Sequence, residues 1–175
     1  MDIDVDYTDA GTGSATDGGS DYTTIAGATL TFTGSSSGGQ VSKNISIAIN
    51  NDNVYEGSED IDLVISNPSV ATLGAQSTHA HTITDNEAVP SISFAAATNS
   101  AVENLDDSVA GGLKTITVTA SGLAQADMTF DLTDASAGSA VGGGVDYTLA
   151  ASQTLTISAG ATTTTFDIAL VDDAS

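Results

Sequence analysis

Apolar residues alternate with polar ones along much of this chain. Ile3, Val5 and Tyr7 alternate with Asp2, Asp4 and Asp6. Ile45, Ile47 and Ile49 do the same against Ser46, Ala48 and Asn50, and Ile61, Leu63 and Ile65 follow against Asp62, Val64 and Ser66. Later runs place Ile116 with Val118, then Met128, Phe130 and Leu132, then Phe166, Ile168 and Leu170 on one face each. A period of two is the mark of a strand with one face buried. The pattern therefore predicts strands over 2–8, 29–32, 41–49, 61–66, 80–84, 115–120, 128–132 and 166–170, with shorter ones near 92–94 and 155–157. Gly, Ser, Thr and Asp fill the intervening stretches, such as 9–20 and 35–39, and Asn67-Pro68 closes a strand. No stretch carries a convincing amphipathic helical period. Pro90 marks a boundary, which divides the chain into units 1–87 and 88–175.

Composition narrows the function classes. The 175 residues carry a formal net charge of −21, with Lys43 and Lys114 as the only cations besides the N-terminus. Nucleic-acid binding needs Lys and Arg against phosphate, so it is not expected, nor is attraction to an anionic membrane. No apolar run is long enough to span a bilayer, and Met1 to Asp4 lacks the basic and apolar regions of a signal peptide. There is no cysteine, so disulfides and thiolate metal sites are excluded. No G-x-S-x-G elbow and no arginine clamp occur, and no Ser-His-Asp arrangement is suggested by position. An enzyme is not expected.

The densest chemistry lies at Asn50 to Asp60, between two predicted strands. Asp52, Glu56, Glu59 and Asp60 fall within a few residues of one another. Oxygen donors at this density suit a hard cation such as Ca2+; the alternative is a solvated acidic turn. Asp2, Asp4, Asp6, Asp9 and Asp17 read as solvated surface groups, and Tyr22 and Tyr147 as packing residues. His79 and His81, two apart on a predicted strand, share a face and form either half a transition-metal site or an incidental surface pair. Asn44-Ile45-Ser46 fits a glycosylation sequon, a match frequent by chance.

The chain also repeats itself. Residues 2–10 match 127–135, Gly18-Gly19-Ser20-Asp21-Tyr22-Thr23 matches Gly143-Gly144-Val145-Asp146-Tyr147-Thr148, and Thr29-Leu30-Thr31 matches Thr154-Leu155-Thr156. The offset from Asp21 to Asp146 is 125 residues. Beyond Ser35 to Gly39 it shortens to 121, which sets Ile47-Ala48-Ile49 on Ile168-Ala169-Leu170 and Asn51-Asp52 on Asp172-Asp173. Such self-similarity indicates a tandem array. The period exceeds half the chain, so the first copy is expected to lack its opening strands and the second its closing ones.

Asp21-Tyr22, Thr29-Leu30-Thr31-Phe32, Asn51-Asp52 with Glu56 and Glu59, Leu63 to Pro68 and Thr82-Ile83-Thr84-Asp85, in that order, resemble the Calx-beta domain family. Glu103, Asp146-Tyr147, Thr154 to Ile157 and Asp172-Asp173 carry the resemblance in the second copy. It implies an all-β fold of immunoglobulin-like antiparallel β-sandwiches in tandem, each binding Ca2+ at one end. Carried over residue by residue, the resemblance implies Asp21, Asn51, Asp52, Glu56, Glu59, Asp85 and Glu87 as ligands in the first unit. In the second it implies Glu103, Asp146, Asp172 and Asp173. Asn51 stands where the family commonly has Asp, which lowers the charge of the site.

The expected function is a Ca2+-binding structural or adhesive repeat of a long extracellular surface protein, with the ion stiffening the domain junction. Its partners would be neighbouring repeats or copies of the same chain, and cell-surface or matrix ligands. Two alternatives remain open: a filament subunit completed by strand exchange between chains, and a regulatory Ca2+ sensor. A carbohydrate-binding domain is disfavoured by the absence of Trp.

Overall fold

The computed structural model describes residues 1–35, 38–101 and 112–172. They form strands and no helix. These are β1 (Ile3–Asp9), β2 (Ala28–Phe32), β3 (Val54–Tyr55), β4 (Glu59–Ser66), β5 (Thr78–Ile83) and β6 (Ile92–Phe94). They continue as β7 (Leu113–Ala120), β8 (Leu123–Ala124), β9 (Met128–Thr133), β10 (Tyr147–Thr148), β11 (Ser152–Ile157) and β12 (Thr163–Leu170). The chain forms two compact units, one of Met1–Asp52 with Glu56–Asn86, the other of Asn53–Tyr55 with Glu87–Ser175.

In the first unit one antiparallel sheet runs β2-β1-β4-β5. Its alternation is the one the sequence predicts. Along β4, Glu59, Ile61 and Leu63 are buried while the residues between them are half-buried. Ile61, Leu63 and Tyr22 form the core, with Ile25, Ile45, Ile47 and Ile83 packed on it. On the opposite face Asp4 and Asp6 stand across from Thr31 and Thr29 and accept their hydroxyls, each at 2.6 Å. These acidic residues are therefore cross-strand acceptors as well as solvated groups.

Residues 41–49, predicted as a strand, form no ladder. They run alongside the core, with Ile45 and Ile47 packed inward, but only Ile49 makes a β-bridge, to Tyr22. The second unit shows what is missing. There β12, which the repeat sets against 41–49, takes its ladder from β7 over Thr163 to Ala169. Among the described residues of the first unit no strand holds the place of β7. Alternation reports which side of a segment is buried, not whether a hydrogen-bonding neighbour exists.

In the second unit an antiparallel sheet runs β10-β12-β7-β6, and β9 pairs with β11. Val118, Leu132 and Ile157 are its buried apolar anchors, Ile157 completely so. A short parallel pair joins β3 to β8 within this unit, and Gln125 N–H donates to the Tyr55 carbonyl at 2.9 Å. This pair is too short to leave a period in the sequence.

Candidate metal centre

Asp21 is placed by the Gly- and Ser-rich stretch before it. That stretch lies against β4: Ala10 and Ala15 N–H donate to the carbonyls of Asp62 and Asp60, at 2.8 and 3.0 Å, and Ser14 Oγ accepts Asp60 N–H at 3.0 Å. Gly13 permits the approach, since a Cβ there would stand 2.1 Å from the Asp60 carbonyl oxygen. The loop then closes on Asp21. Its N–H donates to the Thr16 carbonyl at 3.2 Å, its carbonyl accepts Asn50 N–H at 2.9 Å, and its Oδ2 accepts Thr16 N–H. Tyr22, 3 % exposed, anchors the loop in the core and donates its hydroxyl to Asp9 Oδ2. That donation, with the Asp9 charge beside it and partial burial, pushes the phenol up to about 12.

Asp21 is 4 % exposed, and its Oδ1 is buried with no hydrogen-bond partner. A buried carboxylate oxygen left in this state is costly unless a cation meets it. Glu59, at the start of β4 and 9 % exposed, and Glu56 bring oxygens to it, so that the three residues each offer one oxygen within 4.8 Å of the others. The Glu56 carboxyl is held above the usual range by burial first, then by the negative charges of Asp21 and Asp52, by a side-chain hydrogen bond to Asp21 and by the charge of Asp85. Three carboxylates concentrated this way repel one another unless a cation or a proton intervenes. All donors are oxygen, which fits Ca2+ and not a soft metal.

The other expected ligands stand as follows. Asp85 Oδ2 accepts the N–H groups of Glu56 and Gly57, both at 2.7 Å, so it sets the turn that presents Glu56. Gly57 there has φ of 83°, a left-handed conformation that glycine adopts without strain. Asp52 and Asn51 are exposed, and Asn51 Nδ2 donates to the Asp52 carbonyl at 3.2 Å. Glu87 is half-buried, belongs to the second unit and is not one of the three grouped residues.

In the second unit Asp146 repeats the geometry of Asp21. Its Oδ2 accepts Val141 N–H at 2.6 Å, its N–H donates to the Val141 carbonyl at 2.9 Å, and its carbonyl accepts Val171 N–H at 2.9 Å. Tyr147 donates its hydroxyl to Asp134 Oδ2 at 2.5 Å, as Tyr22 does to Asp9. Asp172 is exposed, and Glu103 and Asp173 lie outside the described residues. Among the described residues no group of three acidic or imidazole ligands forms around Asp146. The Asp–Tyr pairs were missed by sequence reasoning. The signal was present, since Asp9 and Asp134 fall on each other in the repeat just as Tyr22 and Tyr147 do.

The model of the Calx-beta domain matches residues 2–87 and again 85–175, so the chain belongs to the Calx-beta domain family and holds two copies. Calx-beta domains are Ca2+-binding β-sandwich domains, found mostly in extracellular or surface regions. The chain is also similar to a solved structure described as CBD12 from CALX1.2, at 18 % identity and a TM-score of 0.43. That match covers 99 % of this chain and 65 % of that one, so the chain spans about two thirds of the length of its structural neighbour. No curated protein matches. No helix among the described residues is long and apolar enough to cross a membrane.

Proposed function

We propose that this chain is a Ca2+-binding, non-catalytic structural repeat of a long extracellular surface protein, in which the ion stiffens the chain between neighbouring repeats. The observation that carries the reading is Asp21 Oδ1, buried and unpartnered, with oxygens of Glu56 and Glu59 gathered about it. Asp21, Glu56 and Glu59 would hold the ion, and Asp85 would keep the Glu56–Gly57 turn in place. Glu56 follows β3 with no residue between, so holding its carboxylate also fixes the end of that strand. Binding to the folded state alone stabilises it by about 3 kcal/mol when free Ca2+ is about 100 times Kd. Outside cells even millimolar affinity suffices. Calorimetric titration of Ca2+ into chelator-stripped protein tests the reading. Heat of binding and a rise in Tm are expected, both lost in Glu59→Gln; no heat and no change in Tm would overturn it.

A second reading has its own observation. Residues 41–49 form no ladder among the described residues, while their repeat counterpart β12 pairs with β7 over Thr163 to Ala169. An open strand edge recruits strands from other chains. Copies of this chain would then assemble by strand addition at 41–49. Light scattering after size exclusion decides it: polymers support strand addition, and a concentration-independent monomer excludes it.

A further inference from the structure

We propose that His79 and His81 form a chelating site for a divalent transition metal of the Cu2+, Ni2+ and Zn2+ class, distinct from the carboxylate cluster. They are the only two histidines in 175 residues. Both lie on β5, the edge strand of the first unit's sheet, where no further strand pairs among the described residues. Register places His79 beside Leu63 and His81 beside Ile61, so the two rings share one face of the sheet. Their centroids are 6.3 Å apart with planes tilted by 34°. An imidazole nitrogen sits about 2.0–2.1 Å from a bound metal, which puts two rings on one ion about 5–6.5 Å apart, centroid to centroid. The observed spacing therefore needs only side-chain rotation to close on an ion. Both rings are exposed, and a groove of about 370 Å³, lined also by Ile45, Ile47 and Lys43, opens beside them and leaves room for water to complete the coordination.

Donor chemistry separates the two sites. Neutral imidazole suits Cu2+, Ni2+ and Zn2+, whereas the oxygens of Asp21, Glu56 and Glu59 suit Ca2+. The histidines are also not part of the carboxylate group. The net charge of −21 adds a general attraction for cations. With no cysteine in the chain, no thiolate competes for such a metal.

Cu2+ is the probe. Calorimetry and electron paramagnetic resonance are run on the full chain with saturating Ca2+ present, so that carboxylates are occupied by their preferred ion. One Cu2+ per chain is expected, with hyperfine coupling from two nitrogens. His79→Asn or His81→Asn should weaken binding at least about tenfold and leave a single coupled nitrogen. Glu59→Gln should leave the Cu2+ signal intact. Both histidines are exposed, so the variants are expected to keep the parent Tm, which is measured alongside. Unchanged Cu2+ affinity in the double variant H79N/H81N, or a spectrum with oxygen ligands alone, would overturn the proposal.

Discussion

The loop that ends in Asp21 and the loop that ends in Asp146 have similar sequences and several hydrogen bonds in common, yet among the described residues only the first sits in a carboxylate cluster. Each aspartate accepts a backbone N–H from five residues earlier, and each is followed by a tyrosine tied to an upstream aspartate. Asp21 is buried and grouped with Glu56 and Glu59, whereas Asp146 is half-buried and gathers no such neighbours among the described residues. The loop therefore fixes where the aspartate points. What makes it a candidate metal centre is the adjoining β4, which starts with Glu59, and the Asp85-capped turn that supplies Glu56.

The comparison breaks most forcefully at β4. Ile61 is 1 % exposed and Ile157 completely buried, so Ile→Ala at either costs about 2–5 kcal/mol. Ile61→Ala removes packing on the same face of β4, two residues along from Glu59, so chemical denaturation should show the loss and calorimetry a weakened Ca2+ response. Ile157→Ala should destabilise the second unit and leave Ca2+ binding unchanged. Equal loss of Ca2+ binding in both would mean that the site does not reside in the first unit.

Next in size is the ligand itself. Asp21→Asn should remove the Ca2+-dependent part of stability, about 3 kcal/mol at 100-fold excess over Kd, while Asp146→Asn leaves it in place. The pH dependence follows from Glu56, whose folded-state pKa is raised. A raised carboxyl favours folding most below its unfolded pKa, and that contribution is lost as pH rises through the folded value. Metal-free protein should therefore gain stability on mild acidification. Ca2+ needs the carboxylate, so the Ca2+-induced rise in Tm should shrink over the same range. Glu56→Gln should abolish the acid gain.

The alternating pattern made the β fold and the inward faces of β1, β4, β9 and β12 legible, because burial on one side of a strand writes a period of two. The acidic cluster was legible as a concentration of carboxylates. From spacing alone its grouping was not, because which oxygens meet depends on loop closure: exposed Asp52 lies in the densest run of acids but outside the group, while distant Asp21, which the family resemblance named, belongs to it. Asp85, which the family resemblance implies as a ligand, also holds a turn in the structure, through two backbone N–H groups on its Oδ2. The missing ladder at 41–49 was invisible for a similar reason, since a strand's partners are not written in the strand.

Tyr22→Phe sharpens the comparison at a smaller scale. It removes the hydroxyl that Asp9 accepts. The pair is part-buried, so the loss is about 1 kcal/mol. The phenol's raised pKa means this contribution is complete below about pH 10 and is lost as pH rises through about 12. Tyr147→Phe should cost less, since Tyr147 is half-buried whereas Tyr22 is buried. Chemical denaturation of the two variants at neutral pH checks the order.

The smallest effect concerns the outward threonines, where the two units are most alike. Thr29 donates its hydroxyl to Asp6 at 2.6 Å, and Thr154 donates to Asp131 at 2.8 Å, at matching positions of the repeat. Asp6 also accepts Asn67 Nδ2 at 3.1 Å, and the hydrogen bonds, Thr29's first, hold its carboxyl below the usual range. A depressed carboxyl stabilises the fold above its unfolded pKa, and the contribution fades as pH falls through the folded value. Thr29→Val keeps the strand shape and removes the donor. It should lower Tm slightly at neutral pH, with the difference from the parent vanishing in acid, while Ca2+ binding is untouched because the pair lies on the face opposite Glu59. Thr154→Val should lower Tm by a similar small step. If Thr29→Val instead changed Ca2+ binding, the two faces of the first sheet would be coupled, and the carboxylate group could not be treated as the product of its loop and β4 alone.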